Sequence, residues 1–420
     1  MSELETYMLD LGRRARAAAR ILREAPAEAR TRALELLSSK LAAAEDDILA
    51  ANVRDVEAAR AGGMTEAMID RLSLTPARVQ GMAEAVATIA AVPDTLGAEI
   101  ARWTPANGLD IARVRTPIGV LGVIYESRPN VTADAAALCI RSGNAAVLRC
   151  GSDCLQSSLA IAGVIGEALA EADLPADVVQ LVDTPDRDAV GLMLQGLDGA
   201  IDLWIPRGGK SLVARVKAEA RTAVLGHLEG LNHTYLHEAA DLDTARKVVL
   251  NAKMRRVSVC GATETLLVDR AAAERLLPPV AADLIAAGCE LRGDEAARAL
   301  VPAMTPATDA DWATEYLAPI LAVRIVDDLD AATDHIARYG SGHTEAIVTT
   351  DAEAAERFAA KVDSAIVLIN ASTQFADGGE FGFGGEIGIS TDRLHARGPV
   401  GAEQLTTYKY VVRGQGQARP

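Results

Sequence analysis

Cys260 stands in the stretch Asn251-Ala-Lys-Met-Arg-Arg-Val-Ser-Val-Cys-Gly-Ala-Thr-Glu-Thr-Leu-Leu-Val-Asp269, with Lys253, Arg255 and Arg256 ahead of it and an apolar run at 265–268 behind. Nearby positive charge favours the thiolate, which is the nucleophilic form of cysteine. The competing reading is a buried structural thiol. Cys139, Cys150, Cys154 and Cys289 have no equally cationic neighbourhood, although Cys139 and Cys150 each have an arginine close by.

Other stretches could bind or transfer. Tyr125-Glu-Ser-Arg-Pro-Asn130 directly follows an apolar run at 120–125 and precedes a helical pattern. In an open α/β sheet that is the carboxyl edge, where ligands bind. Arg128 and Asn130 are therefore placed to touch a substrate or a reacting oxygen; the alternative is a turn with Pro129 at a helix start. Ile205-Pro-Arg-Gly-Gly-Lys-Ser211 begins to look like a phosphate-binding P-loop, but Trp204 occupies the required first glycine. A nucleotide kinase is excluded. An anion site on Arg207, Gly208, Gly209 and Lys210 survives, beside the alternative of a plain Gly-rich turn before a helix.

His227 and His233, in Gly226-His-Leu-Glu-Gly-Leu-Asn-His-Thr234, could titrate near neutral pH with Glu229 as anchor. A satisfied packing histidine is the preferred reading for His233. The glycine-dense stretch at 378–388 misses the dinucleotide fingerprint by one residue. Its Phe381 and Phe383 favour a loop that lines or closes a pocket over a plain surface loop. Asn370-Ala-Ser-Thr-Gln374, with Ser372 and Thr373, is a further polar candidate.

These residues need a scaffold, and 420 residues, half of them hydrophobic, suffice for two or three domains. Aromatics are only 3%, so the core must be aliphatic. A net charge of −16 argues against a nucleic-acid partner but leaves room for a local basic pocket for a phosphorylated substrate. Five cysteines form no CxxC pair. Cys150 and Cys154 lack a second ligand pair, so no metal site, reduced thiols and a cytoplasmic setting are expected. The acidic opening does not read as a signal peptide, and no apolar stretch suits a membrane span.

Apolar periodicity predicts helices over 4–25 and 27–59. Strands follow at 109–115, 120–125, 145–149, 178–182 and 202–205, alternating with helices at 132–140, 157–172 and 188–194. A second block begins near 228. Its predicted strands are 234–236, 265–268, 322–326, 345–349 and 365–369; its helices include 243–252, 280–287, 330–339 and 352–362. The alternation predicts an α/β fold with doubly wound, mostly parallel sheets. A terminal strand at 403–413 must pair elsewhere, across the chain or in a second subunit.

Several motifs are long and specific: Ile124-Tyr-Glu-Ser-Arg-Pro-Asn-Val-Thr132, Ile205-Pro-Arg-Gly-Gly-Lys210, His227-Leu-Glu-Gly230, Phe375-Ala-Asp-Gly-Gly-Glu-Phe-Gly382, Glu386-Ile-Gly-Ile-Ser-Thr391, Leu394-His-Ala-Arg-Gly-Pro399 and Leu405-Thr-Thr-Tyr-Lys-Tyr-Val-Val-Arg-Gly414. With them the chain resembles the aldehyde dehydrogenase superfamily, and within it the γ-glutamyl phosphate reductase (glutamate-5-semialdehyde dehydrogenase) family. The resemblance implies two doubly wound parallel-sheet domains with a small β oligomerisation extension. It places a cofactor-binding domain at 1–228, with 106–118 as the extension, and a catalytic domain at 229–385. Residues 386–420 then return to the cofactor domain and end in an oligomerisation strand.

It further implies that Cys260 is the catalytic thiol and Asn130 the amide that holds the oxyanion. Arg149 stands where the superfamily places a lysine against the cofactor ribose. Glu315, in Thr314-Glu-Tyr-Leu-Ala-Pro319, resembles the glutamate that holds the nicotinamide ribose. Gly208, Gly209 and Lys210 join the cofactor set, and Arg128, Arg255, Arg256, Ser372 and Thr373 the substrate set. His227 stands where hydrolytic members carry a general-base glutamate, a replacement that suits an enzyme whose thioester must meet phosphate rather than water. The implied reaction is NADPH-dependent reduction of L-glutamyl 5-phosphate to L-glutamate 5-semialdehyde in proline biosynthesis, by a homo-oligomer functionally coupled to a glutamate 5-kinase. No nucleic acid, membrane or metal is implied. A hydrolytic dehydrogenase for another small acidic aldehyde, or a non-catalytic oligomeric homologue, are the alternatives. One departure stands out: the family commonly has Pro-Gly-Val-Cys-Asn around the thiol, and this chain has Val257-Ser-Val-Cys-Gly261.

Overall fold

The computed structural model describes residues 1–419, which group into two compact units: Met1–Gly226 with Gly382–Gly388 and 400–419, and His227–Phe381 with Ile389–Pro399.

The first unit opens with helices. Ser2 and Glu5 form a reciprocal capping box at the start of Glu3–Glu24. The single helix expected over 27–59 is two, Ala27–Ala43 and Glu45–Ala61. Ala44 leaves helical geometry (φ −92°, ψ 14°), and the second helix begins on Glu45, Asp46 and Asp47, which suit the positive end of its dipole. The unit's main sheet has five parallel strands in the order Val179–Leu181, Ala145–Arg149, Val120–Tyr125, Leu203–Arg207, Ala223–Val224. Val120–Tyr125 and Ala145–Arg149 are buried throughout, as the apolar runs 120–125 and 145–148 predict, with Arg149 buried at the end of the second. The chain runs outward from the middle strand first one way and then the other. The winding reverses between Val120–Tyr125 and Leu203–Arg207, so the loops at 126–130 and 208–210 lie side by side at the switch point.

A small antiparallel sheet joins Glu99–Trp103, Asp110–Pro117 and Thr406–Arg413. The terminal strand therefore pairs within the chain, in unbroken register from Thr406 opposite Pro117 to Arg413 opposite Asp110. Glu99–Trp103 escapes sequence reading because it is exposed on both faces and carries no apolar alternation.

The second unit is a seven-stranded parallel sheet, ordered Thr305–Pro306, Glu290–Gly293, Ile320–Val326, Thr263–Asp269, Asn232–Leu236, Thr344–Val348, Ile366–Ile369. Alternate side chains point to opposite faces. Leu266 and Val268 pack with helices Leu242–Met254 and Ala273–Ala286, while Leu267 packs with Leu329–Tyr339 and Ala352–Lys361. This unit too is doubly wound. Helix Ala273–Ala286 begins well before the predicted 280, despite Pro278 and Pro279 inside it, because Leu276, Leu277, Val280, Ala281 and Leu284 bury a continuous face. The tail expected to return whole from 386 is divided. Ile389–Ser390 pairs with Gly398–Pro399, and Ile389 packs on Ile366 and Ala376 of the second unit. No helix among the described residues is long and apolar enough to cross a membrane.

Candidate active site

Three adjacent strands of the second unit set the site. Cys260 lies in the turn before Thr263–Asp269, His227 in the segment before Asn232–Leu236, and His343 directly before Thr344–Val348. Neighbouring strands lie about 4.8 Å apart, so residues at their amino ends can converge. Cys260 Sγ and one nitrogen from each imidazole lie within 4.8 Å of one another. The two rings meet edge to face, with centroids 4.8 Å apart. His227 donates its Nδ1 hydrogen to the Ile389 carbonyl at 2.7 Å, which leaves the lone pair on Nε2. His343 is fully buried, and burial holds its pKa well below the ordinary imidazole range. It is a neutral ring. His343 was missed from sequence: its neighbours Gly340, Ser341 and Gly342 look like any turn before a strand.

The turn carrying the thiol is clamped by its backbone. Asn232, fully buried, donates to the carbonyls of Cys260 at 2.6 Å and Ala262 at 2.8 Å, and accepts from the Thr344 N–H at 3.1 Å. A Cβ at Gly230 would sit 2.1 Å from the Cys260 carbonyl oxygen, so this approach requires glycine. The Gly230 N–H donates to Glu315 Oε1 at 2.8 Å. Glu315, a cofactor residue by resemblance, thus touches the strap that presses on the thiol turn. Gly261, the departure from the family pattern, brings its backbone close to the next loop: a Cβ there would be 3.2 Å from the Thr373 carbonyl oxygen.

The substrate candidates have local duties. Ser372 caps the turn at 373–375 by accepting from the Gln374 N–H at 3.2 Å, and Thr373 Oγ1 lies 3.0 Å from Thr263 Oγ1. Both are buried. Gln374 receives Arg255 Nη1 at 3.4 Å and donates to the carbonyls of Ala252 and Arg256. Arg255 and Arg256 are exposed. Lys253, read from sequence as a third activating cation, is instead fully buried and paired with Glu264 at 2.5 Å. It ends helix Leu242–Met254 on the core side, where helical spacing turns it away from Arg255 and Arg256. Burial pushes Glu264 up to about 7 even against the Lys253 charge. His233 is a buried core histidine, as expected, but only half satisfied: Nδ1 lies 2.9 Å from Glu345 Oε2, while Nε2 has no hydrogen-bond partner among the described residues.

The first unit holds the remaining candidates at the carboxyl edge of its sheet. Asn130 is the N-cap of Val131–Arg141 and donates Nδ2 to Asp134 at 2.9 Å. Burial pushes Asp134 up to about 6, opposed by Asn130 and the Arg207 charge. Arg128 is half-buried beside it in sequence, after Ser127 in a left-handed conformation (φ 49°). Arg149 is buried, gives Nη2 to the Pro185 carbonyl at 3.2 Å, and has an Nε with no partner among the described residues. The 208–210 turn opens helix Lys210–Glu219, and a carboxylate already approaches it: Glu126 Oε2 accepts from the Gly209 N–H at 3.4 Å. Glu126 was not foreseen. Gly382–Gly388 belongs to this unit, where Gly384 packs on Ile89 of helix Pro76–Ala91 and on Val92 just past its end, and Gly388 on Arg207.

The remaining thiols differ from Cys260 in burial. Cys139 and Cys289 are pushed up to about 12 and about 11 by burial. Cys150 is lowered by a hydrogen bond from Cys154, which is itself raised; both are buried.

Comparison with known proteins gives a consistent result. A model of the aldehyde dehydrogenase family matches residues 10–290 and 284–411. A γ-glutamyl phosphate reductase of Caulobacter sp. (strain K31) is 65% identical over 417 residues, covering 99% of this chain and 100% of that protein. One from Hyphomonas neptunium is 62% identical, covering 99% and 97%. The crystal structure of a γ-glutamyl phosphate reductase from Thermotoga maritima superposes with a TM-score of 0.95 at 44% identity, covering 98% of this chain and 100% of that one.

Proposed function

We propose a covalent mechanism for this chain, which belongs to the aldehyde dehydrogenase family and, within it, to the γ-glutamyl phosphate reductases. The reaction is reduction of L-glutamyl 5-phosphate to L-glutamate 5-semialdehyde and phosphate, a step of proline biosynthesis. The observation that carries this reading is the placement of Cys260. Among the described residues it is the one cysteine that is not buried, and its sulfur sits within 4.8 Å of two imidazole nitrogens.

His227 Nε2 takes the thiol proton, its tautomer fixed by the Ile389 carbonyl. The thiolate attacks the acyl carbon, the bond to the phosphate oxygen breaks, and a thioester remains on Cys260. Arg255 and Arg256, with Arg128 by motif, neutralise the departing phosphate. The Cys260 backbone N–H and the Asn130 amide stabilise the tetrahedral oxyanion. With the thiol proton held, His227 presents no lone pair to activate water, and the thioester persists until it is reduced. Collapse of the thiohemiacetal then breaks the C–S bond and returns the thiolate.

NADPH is the cofactor in this proposal, and when bound it supplies the hydride. Arg149, Glu315 and the turn at Gly208, Gly209 and Lys210 would hold it. Arg149, a cation at the carboxyl end of its strand, is compatible with a 2′-phosphate. Glu315 takes this place by the resemblance, and its Oε1 accepts the Gly230 N–H beside the thiol turn. Ser372 and Thr373 shape the substrate side from buried positions.

A homo-oligomer is the proposed assembly. Ile100, Trp103, Tyr408, Tyr410 and Val412 leave the three-stranded sheet with an exposed apolar face, with Trp103 and Tyr410 edge to face at 6.0 Å. A second copy of that sheet would cover it. Five free cysteines favour a reducing, cytoplasmic setting, and a glutamate 5-kinase is the coupled source of the acyl phosphate. The test is a spectrophotometric assay of semialdehyde oxidation with NADP⁺ at varied phosphate. The rate should rise from near zero with phosphate or arsenate; oxidation indifferent to both would point to a hydrolytic dehydrogenase instead.

A further inference from the structure

We propose that His227, Cys260 and His343 form a binding site for a thiophilic divalent cation of the zinc class, and that the ion inhibits the enzyme by coordinating its nucleophile. Binding of the ion stands on the geometry alone, whereas its inhibition rests on the reading of Cys260 as the nucleophile. The sequence hides the set: the residues belong to no spaced motif, and only the pairing of three neighbouring strands unites them.

Thiolate sulfur with two imidazole nitrogens is a donor set that suits zinc, copper and cobalt rather than magnesium or calcium. The three donor atoms lie within 4.8 Å of one another. Tetrahedral zinc, with bonds of about 2.0–2.3 Å, places its ligands about 3.5 Å apart. Contraction of about 1 Å therefore completes the site, and a solvent molecule takes the fourth position.

Two details go beyond proximity. His227 gives its other ring hydrogen to a backbone carbonyl, Ile389, at 2.7 Å. That is the outer contact metal-bound histidines habitually make, because it presents the second nitrogen as a lone pair. His343 is 0% exposed, its Nδ1 lies 2.8 Å from the Thr344 hydroxyl, and its Nε2 has no hydrogen-bond partner among the described residues. Buried polar atoms are ordinarily satisfied. A buried ring nitrogen without a partner, beside a thiol and a second imidazole, is an unused ligand. Coordination converts the Cys260 thiol to a thiolate and releases its proton to solvent; no oxidant or reductant takes part.

Titration of the full-length protein with Zn²⁺, read by equilibrium dialysis, should give one tight site per chain. Co²⁺ should give a sulfur-to-cobalt charge-transfer band in the near ultraviolet, and stoichiometric Zn²⁺ should abolish it. Cys260→Ser should remove the band. His343→Ala and His227→Ala should each weaken Zn²⁺ binding at least tenfold, while Cys150→Ser should leave it unchanged. Circular dichroism confirms that each variant is folded, and the wild-type cobalt band reports thiolate ligation without any variant. Absence of that band, or Zn²⁺ bound equally well by Cys260→Ser, would overturn the proposal.

Discussion

Gly230→Ala is the substitution whose consequence follows most directly from the structure. The new Cβ would lie 2.1 Å from the Cys260 carbonyl oxygen and 2.8 Å from its carbonyl carbon. Ordinary contact begins near 3.4 Å, so one backbone must retreat by about 1.3 Å. Neither is at liberty to do so. The Cys260 carbonyl is held by Asn232 at 2.6 Å, and the Gly230 N–H by Glu315 at 2.8 Å. Overpacking of this kind costs about 1–3 kcal/mol of stability. Misplacing a reacting group by about 1 Å costs about a hundredfold in rate, or about 2.7 kcal/mol in the barrier at 1.36 kcal/mol per decade. We therefore expect kcat/KM for semialdehyde oxidation to fall about a hundredfold, with a lowered Tm. Gly163→Ala, on an exposed helix position where a Cβ meets nothing within 4 Å, is the control and should be neutral or stabilising by up to about 1 kcal/mol. If Gly230→Ala kept activity within threefold at an unchanged Tm, the clamp on the thiol turn would be an incorrect account.

Further outcomes follow from the same geometry. Asn130→Ala should lower kcat by about 10²–10³-fold with little change in KM if the amide holds the oxyanion; a change in KM alone would deny it that role. Glu264 has a folded pKa raised to about 7 from 4.5, so folding favours its protonated form. The stability linked to it is complete below about 4.5 and is lost as pH rises through about 7. Thermal unfolding against pH should show this decline in the wild type and lose it in Glu264→Gln. Lys253→Met should cost about 3–5 kcal/mol at pH 8, because it leaves that carboxylate buried without its partner; equal stability of variant and wild type there would contradict the burial. Tyr410→Glu should shift the molecular mass in analytical ultracentrifugation to a smaller species, and an unchanged mass would remove the exposed sheet face from the interface.

Periodic burial is what made the fold legible. Runs such as Val120–Tyr125 and Ala145–Arg149 are buried on both faces, so their sequence carries the signal. Glu99–Trp103 has no such signal, and Ala273–Ala286 carries a contrary one in its prolines, overridden by packing. In the site, Cys260 could be picked out by its own flanking charges, yet the cations are not equivalent. Lys253 turns into the core because helix phase, invisible in a simple count of charges, decides direction. His343, Asn232 and Gly230 were beyond reach for another reason. Their importance comes from strand neighbours far off in sequence, and the cluster gathers at the amino ends of strands, whereas the sequence argument for Arg128 and Asn130 looked to the carboxyl edge.

The most direct measurement is a single-turnover experiment in phosphate-free buffer. Enzyme, NADP⁺ and excess semialdehyde are mixed, reduced nicotinamide is followed by absorbance, and the quenched protein is mapped by mass spectrometry. The account predicts a burst of one reduced nicotinamide per site, an acyl adduct on the Cys260 peptide, and renewed turnover when phosphate is added. Continuous turnover without phosphate, or an adduct on any other residue, would contradict it.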